Sequence, residues 1–173
     1  MPSQPAHQSP APTGRAQGQP IRLVRHRPGA PGLRLGLGPD FLPVDGIGQL
    51  QRLFDQHSFW ARGRRRSDLR RMLRQSQAVV SLWQDSELVG FGRATSDTAY
   101  RAVLWDVVVM ERCKGQGLGR RLVEALLEAP GLRQVEKVYL MTTESRGFYE
   151  RLGFEAIASQ HLMIAPLRKG TGQ

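Results

Sequence analysis

The segment Val107-Val108-Val109-Met110-Glu111-Arg112-Cys113-Lys114-Gly115-Gln116-Gly117-Leu118-Gly119-Arg120-Arg121-Leu122 constrains this chain more than any other. An apolar run of strand character passes through a short basic loop into alternating glycines, and the glycines open an amphipathic helix. Glycine has no Cβ, so the backbone can approach a ligand closely and aim several N–H groups at one anion. A helix N-terminus adds unpaired N–H groups and the positive end of its dipole. Lys114, Arg120 and Arg121 add mobile positive charge. Together these features describe a cradle for a pyrophosphate. Glycines here also permit a tight strand-to-helix turn with no ligand, and the segment by itself leaves that reading open. Two familiar phosphate loops do not fit. The Walker form needs Gly-Lys followed by Ser or Thr, which is missing. The dinucleotide form spaces its glycines as Gly-x-Gly-x-x-Gly, whereas Gly115, Gly117 and Gly119 are two apart throughout.

Around this segment the patterning predicts an ordered series of elements. Leu33, Leu35 and Leu37 alternate with Arg34 and Gly36, as in a short strand. Ile47, Leu50, Leu53 and Phe54 recur at helical spacing, and a second helix is expected from Ser67 with Leu69, Met72 and Leu73 on one face. Strands are expected at 78–84 and 87–95, joined through Asp85-Ser86, with a third at 101–110. The helix after the glycines runs from Gly117 to about Glu128 and is ended by Pro130-Gly131. A strand at 135–141, a short helix at 147–152 and a last strand at 154–164 complete the order β-α-α-β-β-β-α-β-α-β. That is an α/β (α+β) chain with a mixed central sheet flanked by helices.

The 173 residues suit one domain with tails, and that length buries a core without disulfides. Residues 1–31 are expected to be a disordered basic tail, 32–167 the folded domain and 168–173 a C-terminal tail. The leader is rich in Pro, Gln, Ser and Gly, and no acidic residue precedes Asp40. An acid-poor leader bearing arginine fits an organelle transit peptide, which would place the protein in an organelle stroma. A variable tail on a cytoplasmic protein is the expectation. The single cysteine, Cys113, forbids an intrachain disulfide and makes a Cys/His metal cluster unexpected, so no metal is assigned. No apolar run approaches the roughly 20 residues of a membrane span. The formal net charge of +10 favours acidic partners.

Lys114-Gly115-Gln116-Gly117-Leu118-Gly119 resembles the pyrophosphate motif of GNAT (GCN5-related) N-acetyltransferases, Arg/Gln-x-x-Gly-x-Gly/Ala, with Lys114 departing from Arg/Gln. Phe148-Tyr149-Glu150-Arg151-Leu152-Gly153-Phe154 resembles that family's second signature. The segments Phe91–Asp97, Leu104–Val109 and Tyr139–Thr143 look like members from photosynthetic lineages, associated with acetylating protein N-termini and lysines. The resemblance implies the GNAT fold with acetyl-CoA as co-substrate. Backbone groups of Val107, Val108 and Val109 would hold the pantetheine and thioester, and Lys114, Gly115, Gln116, Gly117, Leu118, Gly119 and Arg120 the pyrophosphate. The amine would attack directly, with no acyl-enzyme.

Tyr149 is the candidate general acid for the leaving thiolate, because a phenol can donate a proton where charge develops. A tyrosine that only packs is its competing reading. For the general base, Asp106, Glu144 and a water chain all stay open, and Asp106 could equally be an acid satisfied by Trp105 or by backbone donors. Asparagine, often found shortly before the tyrosine in the family, is replaced by Thr142, Thr143 and Glu144. Cys113 is read as incidental. The arginines between Arg62 and Arg74 form either a solvated face or a surface for an acidic substrate protein or nucleic acid. Phe59 and Trp60 are expected in the core, with groove walls as the alternative. A protein or peptide amine is the expected acceptor. A small-molecule amine, or a non-catalytic basic domain that binds nucleic acid or the ribosome, is the competing function.

Overall fold

The computed structural model describes residues 20–165. In chain order the elements are β1 (Arg22–His26), α1 (Pro31–Arg34), α2 (Gly46–His57), α3 (Arg66–Arg74), β2 (Ala78–Gln84), β3 (Glu87–Ser96), β4 (Arg101–Val109), α4 (Leu118–Leu127), β5 (Lys137–Tyr139) and α5 (Arg146–Glu150). Short 3₁₀ turns follow α2 at Phe59–Ala61 and β4 at Glu111–Cys113. The sheet is mixed and ordered β1-β2-β3-β4-β5, antiparallel except for the parallel pair β4–β5. This is the expected architecture.

Helices cover both faces because the strands carry apolar residues on both. On one face Val79, Trp83, Leu88, Phe91 and Val108 meet Leu33, Ile47, Leu50, Leu53, Phe54, Leu69 and Leu73 from α1, α2 and α3. On the other, Ala78, Val80, Leu82, Val89, Ala94, Ala102 and Leu104 meet Leu118, Leu122, Val123 and Leu126 of α4. The buried α4 positions recur at spacings of three and four, so one stripe of the helix lies on the sheet. Asp45 caps α2 by accepting from the Gly48 N–H at 3.2 Å.

Three expectations are corrected. The first strand is Arg22–His26, not Leu33–Leu37, so the folded domain begins within the segment assigned to the tail. β1 lies at the sheet edge, and Arg22 and Arg25 reach Asp40 and Glu128 far along the chain, while Leu23 and Val24 enter opposite cores. Leu33 is buried, but within a helical turn, and Leu35 is 73% exposed, so the leucine alternation marks no strand. The last strand expected at 154–164 is absent from the described residues: β5 has only three paired residues, and Ile157, Leu162, Met163 and Ile164 stand exposed. Alternating apolar residues form a strand only where an edge receives them. The tails at residues 1–19 and 168–173 lie outside the described residues.

Candidate active site

Beyond Val109 the chain makes its 3₁₀ turn, with Cys113 N–H donating to Met110 O at 2.9 Å and Lys114 N–H to Glu111 O at 3.1 Å. Gly115 and Gly117 then adopt φ of 76° and 73°, the left-handed region where a side chain is strained. Gly117 is the N-cap of α4, and the first helical bond runs from Arg121 N–H to Gly117 O at 3.1 Å. Among the described residues, the six N–H groups from Gly115 to Arg120 meet no backbone or side-chain acceptor. A Cβ at Gly115 or Gly117 would have nothing within 4 Å, so the loop opens to solvent. A row of aligned, unpartnered donors at a helix N-terminus, with room in front, fits a pyrophosphate. Lys114 is ion-paired with Glu111 and Arg120 with Glu124 at 3.3 Å. Both pairs are exposed, worth at most about 1 kcal/mol, so a phosphate can displace them.

Gly119 serves a different purpose. A Cβ there would stand 3.1 Å from Phe148 Cζ, so its bare backbone lets α4 and α5 touch. Arg120 adds a bond to Arg151 O at 3.4 Å. The two sequence motifs therefore form one contact.

β4 prepares the second half of the site. It pairs with β5 only through Arg101–Lys137, Ala102–Val138 and Val103–Tyr139, and beyond Val103 that side of β4 has no strand neighbour. On its other side, Phe91 pairs with Val108 but Arg93 pairs with Trp105, so β4 carries one extra residue, a β-bulge. Asp106 sits in it with φ of 53°. The bulge reverses the alternation. Ala102 and Leu104 face the α4 core, while Val108 faces α1–α3 and Val107 and Val109 face α4. Val107 to Val109 thus lie where β4 has left β5, leading straight to the glycine loop.

Tyr149 is half-buried in α5, edge to face with Phe148 and Phe154 at centroid distances of 4.9 and 5.8 Å. Burial pushes its phenol above the usual value, which keeps the proton on at neutral pH. Glu144 is exposed in the loop before α5.

Asp106 is paired with other partners than those expected. Its side chain is only 4% exposed, and its two oxygens meet Arg93 Nε at 2.7 Å and Arg64 at 3.0 Å. Neither Trp105 nor a backbone donor satisfies it; Trp105 Nε1 donates to Thr95 Oγ1 instead. Both carboxylate oxygens are thus taken up by guanidinium groups. Sequence reasoning missed Arg93, and its only signal was an arginine within an apolar strand.

The arginine cluster is largely used internally. Arg64 binds Asp106, Arg66 binds Asp45 at 3.3 Å, Arg71 binds Asp68 at 2.7 Å and Arg70 donates to Arg34 O at 3.3 Å. Among the described residues, Arg62, Arg65 and Arg74 have no such partner. Phe59 and Trp60 are 60% and 51% exposed and stack edge to face, so they stand outside the core. A polar trio lies on the same face of the sheet. Trp83 Nε1 donates to Ser81 Oγ at 2.8 Å, and Ser81 Oγ lies 2.7 Å from His26 Nε2. The assignment that satisfies all three has Ser81 donating to a neutral His26. Burial lowers His26 from its usual 6.5 to about 4. Among the described residues no cluster of three or more His, Cys, Asp or Glu could hold a metal ion, and no helix is long and apolar enough to cross a membrane.

The element order and the mixed sheet, with β4 parting from β5, define a fold of one class. Residues 47–154 match the model of the acetyltransferase (GNAT) family, and the chain belongs to that family. Histone acetyltransferase TAP1 of Glycine max is 40% identical over 74 residues, covering 42% of this chain and 32% of that protein. Serotonin N-acetyltransferase 2, chloroplastic, of Oryza sativa subsp. japonica is 37% identical over 117 residues, covering 62% and 56%. The chain thus spans between a third and just over half the length of these relatives. A crystal structure of a GNAT-family protein from Xanthomonas campestris pv. campestris superposes with a TM-score of 0.65 at 25% identity, covering 86% of this chain and 96% of that one.

Proposed function

We propose that this domain transfers an acetyl group from acetyl-CoA to a primary amine, and that its acceptors are α-amines of protein N-termini or ε-amines of lysines. The observation that carries the reading is the run of six unpartnered N–H groups at the α4 N-terminus, placed where β4 has parted from β5. Gly115, Gln116, Gly117, Leu118, Gly119 and Arg120 bind the pyrophosphate through their amides, with Lys114 adding charge. Backbone groups of Val107, Val108 and Val109 orient the pantetheine and thioester. The amine nitrogen bonds to the thioester carbon, the C–S bond breaks, and the thiolate takes its proton from Tyr149. Most of the rate comes from holding the two reactants in line. The substrate ammonium loses its first proton to water, since Asp106 is occupied by arginines and Glu144 faces solvent, and the proton the nitrogen sheds on forming the amide returns to the Tyr149 phenolate.

The soybean relative, named as a histone acetyltransferase, supports a protein acceptor. A small-molecule acceptor is the second reading, favoured by the rice relative's name. That relative is also named as chloroplastic, which supports an organelle location over the cytoplasm; imaging a fluorescent fusion decides between them. No finding favours a nucleic-acid partner. The test of function is incubation with labelled acetyl-CoA and a panel of peptides, histone, serotonin, polyamines and aminoglycosides. Label on peptide or histone amines supports the proposal. Label confined to serotonin or another small amine moves the assignment to the second reading, and no transfer to any acceptor refutes it.

A further inference from the structure

The cradle occupies the α4 side of β4, so in the proposed reaction the amine approaches from the α1–α3 side. There the structure has placed one carboxylate between two guanidinium groups. The pair Arg93–Asp106, with side chains 13% and 4% exposed, is already balanced in charge. Arg64 is the surplus partner, and it comes from the loop before α3 rather than from the sheet. It is held from four directions. Its guanidinium meets Asp106 at 3.0 Å, lies 5.2 Å from the centre of the Phe54 ring and approaches Met72 Sδ at 3.6 Å, while its carbonyl accepts from Gln51 Nε2 at 2.9 Å. Neighbouring Phe59, Trp60, Arg62 and Arg65 are all exposed.

Two consequences follow from this arrangement. The loop bearing Phe59 and Trp60 cannot shift without pulling on the residue that forms the β4 bulge, directly before Val107. The cluster also keeps one excess positive charge on the acceptor side, in a partly buried setting where charge is felt over several ångströms. We infer that Arg64 is a positioning and specificity-determining residue for the acceptor: through Asp106 it ties the acceptor-side loop to the bulge, and its charge favours amines with a carboxylate nearby over polycationic ones. The inference rests on the acetyl-transfer reading and adds to it the acceptor's charge and the residue that selects it.

The experiment compares wild type, Arg64→Gln and Arg64→Lys on two peptides that differ only in Glu or Lys beside the acetylated amine. Wild type is expected to favour the Glu peptide by about fivefold in kcat/KM, the effect of a two-charge difference at well-screened range. Arg64→Gln should bring that ratio close to one and raise the KM for the Glu peptide severalfold, leaving the KM for acetyl-CoA within twofold. Arg64→Lys should keep the preference while losing part of the affinity, since charge survives and the planar fork does not. Unchanged kinetics in Arg64→Gln with only a lower Tm, or equal losses for both peptides and acetyl-CoA, would make Arg64 merely structural and overturn the inference. If wild type acetylates neither peptide, hydrogen exchange still reads the tie. Arg64→Gln should then speed exchange in 59–66 and 104–109 together, and faster exchange confined to 59–66 overturns it.

Discussion

The two faces of the sheet are built from different materials. Toward α4 the strands present mainly apolar side chains, and that face ends at the unpartnered backbone N–H groups of Gly115 to Arg120. Toward α1–α3 lie all four buried polar side chains among the described residues, Ser58, Ser76, Ser81 and Asp106, together with Arg93, Arg64 and His26. A backbone site is set by glycine positions and one helix end, so it survives drift in its neighbours. A side-chain site depends on partners brought from distant segments, and each must be kept.

Breaking the backbone face should produce the largest effect. A glutamate at Gly117 puts negative charge at the proposed pyrophosphate position, where a φ of 73° already strains any side chain. Saturating acetyl-CoA at a hundredfold its Kd should stabilise the wild type by about 2.7 kcal/mol, and Gly117→Glu should lose that gain entirely in a thermal melt. Gly117→Ala separates strain from charge. It should melt lower than wild type yet keep part of the ligand-induced rise, because its methyl meets nothing within 4 Å. A full rise in Gly117→Glu contradicts the cradle.

Tyr149→Phe sharpens the comparison at the one side chain proposed to act beside the backbone site. It keeps the rings of Phe148 and Phe154 packed and removes the transferable proton. kcat should fall about a hundredfold with little change in acetyl-CoA affinity, the lower end of general-acid help because a thiolate already leaves fairly well. Wild-type turnover would leave Tyr149 a packing residue.

The smallest effect belongs to the polar face and is read by acid. His26, at about 4 when folded against 6.5 when free, binds a proton more readily in the unfolded chain. Stability should therefore be level above pH 6.5, decline as pH falls toward 4 and lose about 2 kcal/mol between pH 7 and 5. His26→Leu should flatten that limb in urea titrations at both pH values, and an equally steep limb in the variant would assign the acid sensitivity elsewhere.

Legibility follows the same division. The strands at 78–84 and 87–96 were readable as apolar runs parted by Asp85-Ser86, and the helix after Gly117 from apolar residues at helical spacing. β1 was not, since Arg22, Arg25 and His26 make it look like leader until Asp40, Glu128 and Ser81 are brought beside them. The Leu33–Leu37 alternation misled for the opposite reason, being a local pattern with no sheet edge to receive it. The open turn at Gly115 and Gly117 before α4 was readable from glycine spacing. The bulge at Asp106 was not, because aspartate tolerates positive φ without announcing it, and its arginine partners come from positions 64 and 93.

The contact between Gly119 and Phe148 has a consequence for how this domain can change. A methyl at position 119 would press into the Phe148 ring at 3.1 to 3.3 Å, so the two positions cannot vary independently. Gly119→Ala alone should loosen the seat of Tyr149, while the same change joined to Phe148→Leu restores the space. Among descendants of such a chain, bulk gained on one helix is recoverable only by bulk surrendered on the other.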